Sequence, residues 1–287
     1  MVTTAKPEDL TQESNSCHAV VKSVPRGGGS GILGTPIQPR HLVTTFVGFY
    51  ALNGIIGMIA PPEVSGDTFP DLKNVGSPEY VAYQHVGPIS LSYALLVYLT
   101  VFRGSDDALS SSSVASAVAY SSLPLAYFKG IHLLKGIMTK FGTSKLQTGL
   151  VFAFLVACAG QIVMKDTDDA TLVAKILASF PLIIGVIGEL NPDYGIKLCG
   201  FPPLNNAGKA FFIWFAALAA GYGVLSHLLL QGVEPIQAVG YAAALELFFM
   251  IDCVYIRKWN VGVAPPASNY VFMAFPLLTA VGVLLLS

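Results

Sequence analysis

Residues 236–256 read IQAVGYAAALELFFMIDCVYI, 21 residues with one carboxylate, Glu246, at the centre and a second, Asp252, toward the end. Crossing about 30 Å of hydrocarbon takes a helix of about 20 mostly apolar residues. This stretch has that length, and Arg257-Lys258 closes it. Strands of a membrane barrel would alternate apolar and polar residues over about ten positions. The run here is apolar on every face, so a transmembrane helix is the reading.

The same pattern recurs outward in both directions. Windows at 42–60, 86–102, 113–134, 146–164, 171–190, 208–230, 236–256 and 267–286 meet or approach the length of a span. Pro61-Pro62, Arg103 to Asp107, Lys165 to Asp169 and Asn191-Pro192-Asp193 separate them with charge or turn chemistry. Ser110–Ser113 and Lys129 dilute the third window, and without it the count is seven. Composition agrees. Of the 287 residues, 53% are hydrophobic and only 11% charged, against roughly 25% charged in soluble domains. Mean hydropathy is +0.63. The formal net charge of −1 supplies no field for phosphates, so no nucleic-acid partner is expected. The expected fold is all-α, a polytopic bundle of about eight spans in one domain, 41–287, with the lipid bilayer as its first partner.

Residues 1–40 differ in kind. They are polar, carry Pro7, Pro25, Pro36, Pro39 and the run Gly27–Gly29, and read as a disordered tail. A basic start followed by an apolar core is missing, so no cleavable signal is expected. Glu8, Asp9 and Glu13 argue against a transit peptide. The glycine run lacks the Lys-Ser/Thr of a phosphate loop and reads as a linker. The four cysteines form no C-x-x-C pair, and no Asn-x-Ser/Thr sequon occurs. Positive residues number eight on the side of the odd loops (Lys73 to Lys258) and four on the other. That asymmetry puts the odd loops in the cytoplasm.

A faint internal repeat runs through the chain. Phe49-Tyr-Ala-Leu-Asn-Gly-Ile-Ile-Gly57 is echoed by Phe215-Ala-Ala-Leu-Ala-Ala-Gly-Tyr-Gly223. Gln84 and Gly87 return as Gln237 and Gly240, 153 residues on. Pro124-Leu125, Gly130 and Leu133-Leu134 return as Pro276-Leu277, Gly282 and Leu285-Leu286, 152 residues on. The order is preserved, giving units 42–136 and 208–287 with two helices between. That parity makes the second unit enter from the opposite side, an inverted 3+3 repeat of the kind found in secondary transporters. Packing alone also accounts for matched small residues, because they let membrane helices approach closely.

Polar groups inside spans carry the functional expectations, since each costs at least about 2.5–3.5 kcal/mol at the bilayer centre. Glu246 is the deepest, and an acid there needs a bound proton or a cation beside it. Lys129, three residues before His132 in span three, either pairs with Glu246 or snorkels toward headgroups. Asp252 lies roughly 120° around the helix from Glu246 and reads as an end residue beside Arg257 and Lys258. His227 and Asn53 complete the candidate set; His85 and Glu189 lie at span ends. The histidines lack the spacing of metal ligands, and neither metal nor cofactor is expected. Tyr80, Tyr83, Trp259 and Tyr270 are expected in the aromatic belt.

Three readings follow. The first is a carrier or channel-like protein moving a small or lipophilic solute past Glu246, with helices interrupted at Pro124, Gly130, Pro181, Gly221 and Pro276. The second is a membrane-embedded enzyme acting on a lipid or isoprenoid, with Glu246 or Asp252 as general acid and His227 or Tyr241 assisting. The third is a structural or assembly subunit without chemistry of its own.

Overall fold

Proline fixes several helix starts, because at the first helical position its missing N–H is not needed. Helices α1 (Pro39–Ile59), α2 (Pro78–Val97), α5 (Pro192–Leu198), α7 (Pro235–Ile251) and α8 (Pro266–Leu286) begin this way. Between them lie α3 (Ala108–Phe128), α4 (Asp168–Leu190) and α6 (Asn206–Leu230). Ser77, Asn191, Asn205 and Glu234 cap α2, α5, α6 and α7, each side chain accepting a backbone N–H three residues on. The structure is a computed structural model; it describes residues 38–59, 77–104, 107–128, 153–154, 156–158, 160–161, 168–199, 201–259 and 266–286. Among these residues all regular structure is helical.

Among the described residues, four stretches are long and apolar enough to cross a bilayer: Pro78–Phe102, Asp169–Leu190, Asn206–Leu230 and Pro235–Ile256. The chain is therefore a helical membrane protein. In the apolar window of α6, 72% of residues are buried, against 28% in α4. Thus α6 is the central post, touching α2, α4 and α7, while α4 turns Leu172, Ile176, Ile183 and Leu190 outward. Such an apolar outer face suits lipid, not water.

Specific contacts fix the helix directions. Gly54 of α1 abuts Leu91 of α2, and Gly57 abuts Gly87, so α1 and α2 are antiparallel. Glu79 lies against Gly208, Tyr83 against Phe211 and Tyr93 against Gly221, so α2 and α6 run parallel. Gly221 also faces Ala242 while Ala210, Ile213 and Cys253 form one cluster, which sets α7 against α6. Gly240 against Val283 sets α8 against α7. Gly185 faces Ala216 and Ala220, and Gly223 faces Leu182 and Ala178, so α4 opposes α6. Between α3 and α4, Phe154 meets Phe180 and Gln161 bonds to Ala170, antiparallel to α4. Directions alternate as α1 up, α2 down, then α4 up, α6 down, α7 up and α8 down.

Two expectations need correction. Helix α4 passes unbroken through Pro181, α8 through Pro276, α6 through Gly221, and the backbone of α3 through Pro124. Proline 181 frees the carbonyl of Leu177, and the Tyr120 hydroxyl donates to that oxygen at 3.4 Å, which lets the helix continue. Gly130 lies outside the described residues. The interruptions fall elsewhere: α2 ends in a π-helical turn, Tyr98–Phe102, and α7 in another, Asp252–Ile256. Arg103 N–H returns to Tyr98 O at 3.1 Å, and Arg257 N–H to Asp252 O at 2.9 Å. Secondly, Tyr80 and Tyr83 are buried core residues rather than belt anchors, because α2 starts at Pro78 and its first turns pack on α6. Tyr270 is exposed and Trp259 half-buried.

Candidate functional site

Glu246 comes to lie in the dry interior because its face of α7 also carries Ala242, Ala243 and Phe249–Met250, all buried. The residue is fully buried, and one carboxyl oxygen accepts a hydrogen bond from the Tyr50 hydroxyl of α1. The other oxygen has no hydrogen-bond partner among the described residues. Aromatic rings wall the site. Phe46 meets Tyr50 edge-on at 4.5 Å and Tyr93 at 5.4 Å, and Tyr50 stacks on Tyr93 with centroids 5.7 Å apart. Tyr93 of α2 is also fully buried, with an unpartnered hydroxyl among the described residues. One turn along, Asn53 donates its amide to the Ser90 hydroxyl at 3.1 Å. A polar seam thus runs where α1, α2 and α7 meet.

No described cation is paired with Glu246. Ionised, it would carry the full desolvation cost with one donor in compensation. Protonated, it accepts from Tyr50 and keeps one O–H to give.

Asp252 belongs to a different group at the end of α7. The Arg257 guanidinium donates to its carboxylate, donates to the Glu189 carbonyl at 2.6 Å and approaches the Glu189 carboxylate at 3.7 Å. Arg257 also lies over Trp259 at 5.1 Å, and Lys209, paired with Asp193 at 2.8 Å, lies over the same ring at 5.6 Å. This ties the ends of α4 and α7 to the start of α6. His227 sits toward the other end of α6, its Nε2 3.0 Å from the Ser179 hydroxyl of α4. The structure therefore brings Asn53 near Glu246 and sets Asp252 and His227 apart. Lys129 and His132 lie outside the described residues.

Sequence reasoning missed Tyr50, Tyr93 and Ser90. A signal was present: both tyrosines stand mid-window, too deep for a headgroup belt, and a buried hydroxyl needs a partner. A largely apolar cleft lies between α2, α3, α4 and α6, with His85, Tyr120, Pro181 and Tyr222 in its wall. Glu246 is not among its lining residues. Among the described residues no group of three or more His, Cys, Asp or Glu is placed to hold a metal ion. Outside the spans, burial pushes the Cys199 thiol up to about 12.

No family model matches the sequence, and no solved structure matches it. A protein of Salinibacter ruber (strain DSM 13855 / M31), NADH-quinone oxidoreductase subunit N, is 28% identical over 179 residues. The similarity covers 59% of this chain and 33% of that protein, so the chain spans about a third of the relative's length.

Proposed function

We propose that this chain is a carrier-type membrane protein of eight spans in which Glu246 bears a proton at mid-depth while a small or lipophilic solute crosses. One observation carries the reading. Glu246 is fully buried, holds a hydrogen bond from Tyr50, and has no paired cation among the described residues. A permanent charge so placed would be expensive, whereas a proton that comes and goes gives the acid a purpose.

The inverted repeat is part of the proposal. Its support is threefold. The helices of one group, α1 and α2, run up then down, and their counterparts α6 and α7 run down then up. Both α2 and α7 end in a five-residue π-helical turn followed by an arginine, Arg103 or Arg257. In each group the second helix packs on both the first and the third. Carriers built of inverted halves place their sites where the halves meet, near the bilayer midplane.

The test is proton flux. In proteoliposomes with an imposed pH gradient and an internal pH dye, the wild-type protein is expected to dissipate the gradient, and Glu246→Gln to abolish that flux. Equal flux from both, or none above protein-free liposomes, contradicts the proposal.

The similarity to a protein named as a subunit of NADH-quinone oxidoreductase favours a second reading, a membrane subunit of a larger assembly. Native electrophoresis of the chain from its own membranes separates the two: a carrier migrates alone or as a small oligomer, a subunit with larger partners. The enzyme reading gains no support, because Glu246, Asp252 and His227 occupy three separate places.

A further inference from the structure

We propose that Tyr93 is a proton-relay residue that works with Glu246, an inference that rests on the reading of Glu246 as the proton-bearing acid. The two groups share a neighbour and a deficiency. Tyr50 hydrogen-bonds Glu246 through its hydroxyl and stacks on Tyr93 through its ring, 5.7 Å between centroids. The second oxygen of Glu246 and the hydroxyl of Tyr93 are both buried and both lack a hydrogen-bond partner among the described residues. Buried polar atoms without partners are rare in folded proteins, and a role in chemistry is one of the reasons for which they are kept.

Helix α6 places the Tyr93 hydroxyl toward α7. A methyl group on Gly221 would sit 3.3 Å from that hydroxyl and 3.5 Å from the Ala242 carbonyl. Ala242 is one helical turn before Glu246. Glycine at 221 thus leaves the hydroxyl room at the junction of α2, α6 and α7, on the side where Glu246 lies.

Sequence position makes the same pairing independently. Tyr93 and Glu246 are separated by 153 residues, the spacing that relates Gln84 to Gln237 and Gly87 to Gly240. In the proposed repeat the spacing of these glutamines and glycines puts the two residues at equivalent positions of α2 and α7, so that the slot of one unit holds a phenol where the other holds an acid. The two groups are not hydrogen-bonded to each other at rest, so in the relay a water between them takes the Glu246 proton and gives one to the Tyr93 oxygen, while the O–H proton of Tyr93 passes onward. The phenol ends unchanged, and no oxidant or second reactant is needed.

The experiment is deuterium exchange of the Glu246 carboxyl, read by infrared spectroscopy of the full chain in bilayers and assigned with Glu246→Gln. Tyr93→Phe keeps the stacked ring and is expected to slow exchange at least tenfold. Gly221→Ala, which presses a methyl on the hydroxyl, is expected to slow it as well. Ser92→Ala removes another buried, unpartnered hydroxyl from the same helix and is expected to leave the rate unchanged. A wild-type rate in Tyr93→Phe overturns the relay. Equal slowing in Ser92→Ala also overturns it, since the effect would then be general loosening. Absence of any protonated carboxyl band in the wild type is a different result, and overturns the proton-bearing role of Glu246 on which the relay depends.

Discussion

Gly185 holds α4 and α6 at their closest approach, and Gly185→Ala measures what that approach contributes. An added Cβ would lie 2.5 Å from the Ala216 carbonyl oxygen, 2.6 Å from the Ala220 nitrogen and 2.7 Å from the Ala220 Cβ. Two of these three are backbone atoms, so no side chain can swing aside. The helices must part by about 1 Å to restore ordinary contact, which loosens Gly188 against Ala216 and Gly223 against Leu182 as well. Overpacking of this kind costs about 1–3 kcal/mol, a shift of roughly 5- to 150-fold in the unfolding equilibrium. Gly48 is the control: it is exposed on α1, and nothing lies within 4 Å of its would-be Cβ. Gly48→Ala is expected to be neutral or stabilising by up to about 1 kcal/mol, through helix propensity alone. Reversible unfolding in mixed micelles, titrated with a denaturing detergent, reads both variants against the wild type. If Gly185→Ala is as stable as Gly48→Ala, the close backbone contact is wrong and so is the α4–α6 packing that rests on it.

Removing the Tyr50 hydroxyl with Tyr50→Phe leaves Glu246 without a described donor and is expected to cost about 1–3 kcal/mol in the same unfolding assay. The double variant Tyr50→Phe/Glu246→Leu removes both polar partners and is expected to recover part of that loss; further destabilisation would refute the pairing. Arg257→Ala unties Asp252, Glu189 and Trp259 together, at an expected cost of about 1–3 kcal/mol, discounted for its partly exposed guanidinium. Arg257→Lys restores charge without the fork and is expected to recover less than half of it; full recovery would show that geometry is irrelevant. Cys199, its thiol pushed up to about 12, is expected to alkylate about a hundredfold more slowly at pH 8 than an exposed thiol, in a variant keeping it as the one cysteine. Its rate should climb with each pH unit to above pH 11, because the reactive thiolate forms only as pH nears that value. A plateau at pH 9 would contradict the burial.

What the sequence conveyed depended on which physical signal each residue gave. Continuous apolar runs placed the spans at 171–190, 208–230 and 236–256 within a residue or two of α4, α6 and the α7 stretch. The start of α2 was missed by eight residues. Tyr80, Tyr83, Gln84 and His85 lower the hydropathy there, yet these turns pack on α6 rather than on lipid. Proline 181 looked like a break, and periodicity has no means of showing that Tyr120, 61 residues earlier, would satisfy the carbonyl it frees. Glu246 was legible because a carboxylate inside an apolar run has no bland explanation. Its partners were not, because tyrosine suits a belt, a core and a hydrogen bond equally well. Only the contact between α1, α2 and α7 decides among them.

The central claim is that Glu246 is a protonated acid in the bilayer interior, and the infrared carboxyl band of reconstituted protein tests it most directly. The account predicts a protonated C=O band at pH 7 that disappears in Glu246→Gln and persists, shifted, in Tyr50→Phe. A carboxylate that stays ionised down to pH 4 would mean a fixed ion pair, and would contradict the account.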